Sequence, residues 1–387
     1  PIKNKTMRNK KEFSPLIFLA SLGAGGLSVA FFALINYTFD HGKGLVNFAQ
    51  THNSMAGFTE GLYSLLELGM IGFAIIHFVL SIIFLPQLIK WIKSSSYKKF
   101  VENPLVNVGI LAPFISLAMT MNVLLASVRY FVPSLYNNLQ SLMIPGLIVW
   151  IVLWFFTMRM AIKLLKISFI KGFDISKIYF GWLLYPFALG MLSVTGAGIA
   201  AMSQAPMPAH IAFFMLLISG TMGIFLMMVK LNAIFKNHFA LEGLPDKQFL
   251  PSLLIIVPNI TLYAIIAFRI GHYLHNHFNA QLNVYYMIVM VTAFAFETWY
   301  MIFGLSLLQD YFKKHFKGEF HVSQWGLVCP FVAYVVLGSF VYILFWQNAI
   351  MFWFLMLVVF FTTVLFLGLL RKNYSCARLK STGLNCE

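Results

Sequence analysis

Ten long stretches of the sequence carry few or no charges, and this pattern constrains the fold more than any other feature. Each stretch reaches the roughly 20 apolar residues that a helix needs to cross a hydrocarbon core of about 30 Å. Only 10% of the 387 residues are charged, whereas a soluble protein needs about a quarter to cover its surface. We therefore predict an all-α integral membrane protein with ten transmembrane helices, embedded in a lipid bilayer, and exclude a soluble enzyme. The predicted spans are Pro15–Tyr37, Leu62–Leu88, Leu105–Phe131, Leu139–Leu164, Ile178–Met202, Ala209–Phe235, Leu250–Ile270, Leu282–Leu308, Ser323–Trp346 and Ala349–Leu370.

The basic residues lie almost entirely on one side of these spans. Lys and Arg total 27 against 12 Asp and Glu, which in a soluble chain would suggest a nucleic-acid partner. All but three of them fall before the first span, or near the end of an even-numbered span or after it, the exceptions being Lys43, Arg129 and Arg269. This asymmetry is typical of the positive-inside rule. It predicts a multi-pass protein of the cell's inner (plasma) membrane with both termini cytoplasmic, and no nucleic-acid partner.

The same pattern divides the chain into three predicted parts. Residues 1–14 form a basic cytoplasmic N-terminal segment, residues 15–370 form the ten-helix transmembrane domain, and residues 371–387 form a cytoplasmic tail.

A proline recurs in every odd-numbered predicted span. The five prolines are separated by 98, 73, 72 and 72 residues, and they are Pro15, Pro113, Pro186, Pro258 and Pro330. The first interval is longer by about the length of the loop from Thr38 to Glu60. Five helical hairpins of nearly equal length remain once this loop is removed, and such a repeat predicts a quasi-fivefold ring of hairpins.

The odd spans differ from the even spans in side-chain size. Odd spans hold most of the small and polar residues, whereas even spans contain bulky runs such as residues 150–158 (WIVLWFFTM) and 351–361 (MFWFLMLVVFF). Proline in a membrane helix opens or kinks a turn and is best tolerated beside protein or a watery cavity. We therefore predict that the odd helices line a central pore and that their prolines are pore kinks. The alternative is that glycine and proline serve close helix packing only.

The charges along such a pore favour anions. No Asp or Glu lies in the middle of an odd span, and all odd helices would direct their positive N-terminal dipoles toward the cytoplasm. Arg129 and Arg269 end two odd spans at the outer face and are the predicted positive residues of the pore mouth. Alternatively, both side chains extend to the membrane interface without contacting the pore.

Two segments resemble a known family. Residues 113–123 (PFISLAMTMNV) and 325–333 (WGLVCPFVA), within ten spans and proline-containing odd helices, are similar to the tellurite-resistance/dicarboxylate transporter family. That family includes bacterial tellurite-resistance protein A, the plant guard-cell slow anion channels and fungal malate and sulfite transporters. The resemblance covers about Phe13 to Leu370. It implies a homotrimer in which each subunit has its own pore for small inorganic or organic anions such as chloride, nitrate, sulfite or carboxylates.

The resemblance also implies a gate, because channels of this family are occluded by phenylalanine near the proline kinks. The residue before Pro330, where a gating phenylalanine is expected, is Cys329. The remaining candidates follow a proline directly and are Phe114, Phe187 and Phe331. A ring across a narrow pore blocks ions by its volume and by its lack of hydration. The alternative is that these rings pack between helices.

Two carboxylates within predicted spans suggest a second function. Glu67 and Glu297 lie in even spans, and His77 follows Glu67 by ten residues. Ionisable residues inside a membrane are functional candidates, so the three residues could couple proton movement to transport of C4-dicarboxylates, monocarboxylates or sulfite. Interhelical hydrogen bonds or trimer contacts are the structural alternative.

A membrane enzyme or haem protein is the third class considered. His272, His275 and His277 follow the seventh predicted span, and their spacing resembles that of surface metal ligands. A bis-histidine haem needs imidazoles that face each other across helices, and only His77 lies well inside a span. The sequence has no nucleophile or phosphate-loop motif. We therefore predict no enzymatic activity, no metal and no cofactor.

Overall fold

A computed structural model describes residues 13–42, 44–54, 57–240 and 243–381, and these residues form helices and connecting segments without a strand. Ten helices are long and apolar enough to cross a membrane, as predicted, and we number them span one to span ten in chain order. The spans are Pro15–Thr38, Phe58–Ile92, Asn107–Phe131, Leu139–Lys171, Phe180–Met202, Pro206–Ala240, Leu250–Phe278, Asn283–Leu307, Val322–Leu344 and Ala349–Cys376. Residues 1–12 of the predicted basic segment, Lys43 and residues 382–387 of the predicted tail lie outside the described residues.

Several helices continue beyond the apolar stretch that revealed them. Span seven ends at Phe278 instead of Ile270, and the last helix runs from Ala349 to Ser381, well into the predicted tail. Charged and polar residues end a hydrophobic pattern, but lysine, arginine and glutamine are good helix formers. Hydropathy therefore locates the membrane-spanning part of a helix better than it locates the end of the helix.

The odd and even spans occupy different layers. In the most apolar part of each odd span 61% to 100% of the residues are buried, against 28% to 33% in each even span. The bulky side chains of the even spans therefore point outward, toward lipid or another subunit. The predicted division into inner odd helices and outer even helices follows from this burial.

The odd spans contact one another in a closed cycle. Span one contacts span three, span three contacts span five, and the series continues through spans seven and nine back to span one. Each odd span also contacts the even span that follows it in the chain. Every odd span thus has two odd neighbours and one hairpin partner.

Each odd span begins as a 3₁₀ helix and then becomes an α-helix. The 3₁₀ segments are Pro15–Ile17, Asn107–Leu111, Phe180–Leu183, Leu250–Ile255 and Val322–Leu327. Pro113, Pro186, Pro258 and Pro330 lie within the first three residues of the following α-helices, where a missing N–H removes no helical hydrogen bond. Pro15 opens its 3₁₀ segment and so lies about one turn earlier. Four of the five prolines predicted as kinks therefore lie just after the change from 3₁₀ to α-helix, near the start of their spans.

Gly25 allows spans one, two and three to approach closely. A Cβ at this position would lie 2.6 Å from Met119 Cγ and 2.7 Å from His77 Nδ1. The buried His77 ring joins the three helices, because its Nδ1 lies 2.7 Å from the Ser21 carbonyl oxygen and its Nε2 lies 2.8 Å from the Thr120 hydroxyl. Gly25 thus serves close packing of these three helices.

Gly25→Ala should destabilise the protein because the added methyl group displaces His77 or Met119. Overpacking of this kind costs about 1–3 kcal/mol. Gly72→Ala is the matched control, since a Cβ at Gly72 has no neighbour within 4 Å. Thermal unfolding in detergent should show a lower midpoint for Gly25→Ala and an unchanged or higher midpoint for Gly72→Ala. Equal midpoints would contradict the packing described for span one.

Candidate functional site

A cavity of about 390 Å³ lies between the odd spans toward their C-terminal ends, and we call it the outer cavity. All five odd spans line it, with residues three or four apart on one face of each helix. Span five contributes Phe187, Met191, Val194, Thr195 and Gly198, and span nine contributes Cys329, Val332, Ala333, Val336 and Phe340. Gly44 and Leu45, from the loop after span one, line the same cavity.

A second cavity of about 570 Å³, the inner cavity, lies at the opposite ends of the same spans. Residues of all five 3₁₀ segments line it. Phe187, Pro258 and Cys329 line both cavities. The two cavities therefore meet at a layer that these three residues share.

The structure separates the four gate candidates. Phe187 and Cys329 belong to the shared layer, and Phe187 is 4% exposed. Phe331 packs against Phe361 of span ten with 5.0 Å between ring centroids, and Phe114 packs against the hydrophobic core. Neither of these two rings lines either cavity. Of the three predicted phenylalanines, only Phe187 therefore lies where the two cavities meet.

The rings face different directions because the helices differ in which residue, counted from the proline, faces the cavities. The cavity-facing residues begin one position before the proline in span nine, at the proline in span seven and one position after it in span five. Successive residues of an α-helix differ by about 100° around the axis, because a turn holds 3.6 residues. Phe114, Phe187 and Phe331 therefore do not share one orientation relative to the cavities.

The polar side chains that line the outer cavity are neutral or basic. Asn122 Nδ2 donates to the Thr195 hydroxyl at 2.9 Å, and Arg269 and His272 are the basic side chains of the lining. Among the described residues, no Asp or Glu lines either cavity. An ion in these cavities therefore meets no negative side chain.

The two predicted pore-mouth arginines have different surroundings. Arg269 lines the outer cavity and donates from Nη1 to the Val194 carbonyl oxygen at 2.6 Å. Arg129 does not line it. Its buried guanidinium donates to the carbonyl oxygens of Leu125 at 3.0 Å and Val46 at 2.7 Å. None of the ion pairs among the described residues includes an arginine.

Glu67 and His77 do not form the proposed relay. Ten residues along a helix correspond to about 15 Å, which is too far for contact. Glu67 accepts hydrogen bonds from the hydroxyls of Tyr130 and Thr51 and pairs with His52 Nε2 at 2.9 Å. Both ring nitrogens of His77 form hydrogen bonds to groups of spans one and three.

Glu297 is fully buried behind the wall of the outer cavity. One carboxyl oxygen accepts a hydrogen bond from the Thr261 hydroxyl, and Thr261 lines the cavity. The other oxygen has no hydrogen-bond partner among the described residues. Of the three residues predicted to couple protons, Glu297 thus contacts the wall of the outer cavity.

The three histidines after the predicted seventh span lie on the helix itself, because span seven continues to Phe278. His275 Nδ1 lies 2.9 Å from the Ala280 carbonyl oxygen, and His277 Nε2 lies 3.1 Å from that of Ser203. Within the described part of the chain, no three His, Cys, Asp or Glu side chains are grouped to hold a metal. The spacing of these three histidines therefore does not group them as metal ligands in the described residues.

The loop after span one contributes to the outer cavity, which the sequence did not predict. The loop contains a short helix, Phe48–Ser54, and the fully buried residue Val46. The available signal was the mixture of apolar and polar residues from Leu45 to His52 between two spans. Such a mixture is unusual for a loop that only connects helices at the membrane surface.

Comparison with known families places nearly the whole chain in one family. The family model SLAC1, described as voltage-dependent anion channel, matches residues 12–370. This match confirms the family that the sequence resembles. No curated protein matches the sequence.

Proposed function

Because the chain belongs to the voltage-dependent anion channel family, we propose that it passes small anions through a path enclosed by its five odd spans. The family implies an anion channel or transporter. The observation that carries the proposal is the pair of cavities, which together extend from the starts of the odd spans to their ends. The closed cycle of contacts between odd spans supports a quasi-fivefold ring around this path.

The charges along the path support anions as the substrate. Arg269 supplies a positive charge to the outer cavity, and the N-terminal ends of the five odd spans, which carry the positive ends of the helix dipoles, lie at the inner cavity. The lack of a lining carboxylate among the described residues removes the attraction for cations. Chloride, nitrate, sulfite and carboxylates are the proposed substrates.

Phe187 is the proposed gate, with Pro258 and Cys329 completing the layer around it. The ring is buried between the cavities, and an apolar ring offers no hydrogen bond to replace the hydration of an ion. A change of side-chain rotamer would move the ring without moving the helices, since rotamers are discrete states of modest energy difference. Cys329 faces the same layer with a smaller side chain.

The outward apolar surface of the even spans supports association with lipid and with further subunits, for which we propose a homotrimer. Residues 15–370 form the transporting unit of each subunit. The charge asymmetry of the sequence supports cytoplasmic termini in the cell's inner (plasma) membrane. Under this orientation the inner cavity opens to the cytoplasm and the outer cavity to the opposite side.

Phe187→Ala should increase anion flux because it removes the ring between the two cavities. An increase of about 100-fold corresponds to a barrier lowered by about 3 kcal/mol. Flux is measured in liposomes with an anion-sensitive dye. Phe331→Ala and Phe114→Ala are the controls, since those rings line neither cavity. Equal flux in Phe187→Ala and wild type, or a larger increase in either control, would exclude Phe187 as the gate.

Arg269→Gln should reduce anion flux and the preference for anions over cations, because it removes the positive side chain of the outer cavity. A unit charge a few ångströms from an ion in a medium of intermediate polarity changes its free energy by more than about 1.4 kcal/mol, or about tenfold in rate. Reversal potentials in a salt gradient, recorded in the Phe187→Ala background, measure the preference. Arg269→Lys should retain most of it. An unchanged reversal potential for Arg269→Gln would exclude a role for Arg269 in the preference for anions.

A proton-coupled transporter of C4-dicarboxylates, monocarboxylates or sulfite is the second candidate function. One observation favours it. Glu297 touches the cavity wall through Thr261 and keeps one oxygen without a partner among the described residues. A carboxyl group in this position can exchange a proton with a cavity that it does not itself line.

The reversal potential under a pH gradient distinguishes the two functions. A channel follows the anion gradient alone, so we expect no shift with pH in the wild type or in Glu297→Gln. Proton coupling predicts a shift in the wild type that is lost in Glu297→Gln, whose side chain keeps its size but does not titrate. Such a shift would replace the channel proposal with the transporter proposal.

A further inference from the structure

Part of the loop after span one lies over the outer cavity, and we call residues 44–54 the outer strap. Gly44 and Leu45 line the cavity, and the side chain of Val46 is fully buried. The strap then forms the short helix Phe48–Ser54, whose residue Thr51 is also buried. The strap is therefore packed onto the membrane domain and forms part of the wall of the outer cavity.

The backbone of Val46 fixes the first end of the strap. Its N–H donates to Asn36 Oδ1 at 2.9 Å, and its carbonyl oxygen accepts from Arg129 Nη2 at 2.7 Å. Asn36 belongs to span one, and Arg129 lies near the end of span three. Both backbone groups of one loop residue are thus held by side chains from two different odd spans.

Glu67 of span two fixes the other end. Its carboxylate accepts from the Thr51 hydroxyl at 3.2 Å, pairs with His52 Nε2 at 2.9 Å and accepts from the Tyr130 hydroxyl. Tyr130 in turn lies 2.7 Å from the Thr51 hydroxyl oxygen. Two strap residues and one span-three residue therefore meet on a single buried carboxylate, where hydrogen bonds to a charged acceptor are strong.

Glycines flank the strap at positions where only glycine is relaxed. Gly42 has φ 77° and Gly57 has φ 68°, and a Cβ at either would have no neighbour within 4 Å. These backbone conformations favour glycine because other residues are strained there. Gly42 and Gly57 thus lie in open space, in contrast with the two fixed points between them.

We propose that the outer strap is a lid on the outer cavity and that Glu67 is the latch that holds it closed. This proposal rests on the proposed function, because the lid regulates access to the same path. It assigns Glu67 to closure of the path instead of proton coupling, and Arg129 to anchoring of the strap instead of the pore mouth. Phe187 and the strap then close the outer cavity at its two ends.

Access to the outer cavity tests the lid directly. Val29 lines this cavity from span one, so Val29→Cys is the reporter, in a chain whose three native cysteines are replaced by serine. An anionic, water-soluble methanethiosulfonate reagent is applied at the outer side of protein in liposomes. Glu67→Gln should increase the labelling rate about tenfold, the change expected for loss of one charge-assisted hydrogen bond.

Two further variants keep the test decisive. Glu60→Gln is the matched control, because Glu60 is an exposed carboxylate in the first turn of the same span. The pair Thr51→Val and His52→Ala weakens the same latch from the strap side and should also accelerate labelling if Glu67→Gln fails to fold. Labelling rates equal to those of wild type and Glu60→Gln, or absence of labelling in every variant, would overturn the lid.

The labelling readout needs no anion flux, so it separates the lid from the proposed function. Faster labelling in Glu67→Gln together with no anion flux in Phe187→Ala would support the lid and contradict the channel. Flux in Phe187→Ala without any effect of Glu67→Gln on labelling would support the channel and contradict the lid.

Discussion

A membrane helix has no water with which to satisfy its polar groups, and here the odd spans satisfy theirs against one another. Ser21 and Ser116 join spans one and three, and Asn122 and Thr195 join spans three and five. His77 adds span two to the first of these contacts. The bulky residues of the even spans cannot approach in this way and form the outer layer. Both cavities lie among the five odd spans that contact one another in this cycle.

The proposed preference for anions depends on where the charged side chains are buried. Arg269 faces the outer cavity without a carboxylate partner among the ion pairs of the described residues, whereas Glu67 and Glu297 are turned away from both cavities. A charge in a space of low polarity acts strongly on an ion because few solvent dipoles oppose it. The positions of these few charged side chains therefore decide which ions the proposed path favours.

The sequence predicted the features that depend on local composition. The ten spans, the burial of the odd helices and the family all follow from apolar length, side-chain size and two short segments. Orientation around a helix axis was not predictable in the same way, because a single residue changes the direction by about 100°. Phe331 and Phe187 follow their prolines at the same distance, yet only Phe187 faces the cavities.

Contacts between residues far apart in the sequence were also not predictable from the sequence pattern. Arg129 binds the backbone of Val46, and Glu67 binds His52 instead of His77. Both contacts depend on the path of a loop that hydropathy treats only as a connection. The outer strap is defined by its buried residues, which contact spans one, two and three.

Transport through this protein, as proposed, depends on the Phe187 ring, which would separate two cavities of one path. Labelling from the side at which the odd spans begin tests this most directly, with single cysteines at Ser252 in the inner cavity and Val29 in the outer cavity. In a chain whose three native cysteines are replaced by serine, Ser252→Cys should react, and Val29→Cys should react from this side only when Phe187 is also replaced by alanine. Equal reaction of Val29→Cys from this side with and without the Phe187 ring would show that this ring does not separate the cavities.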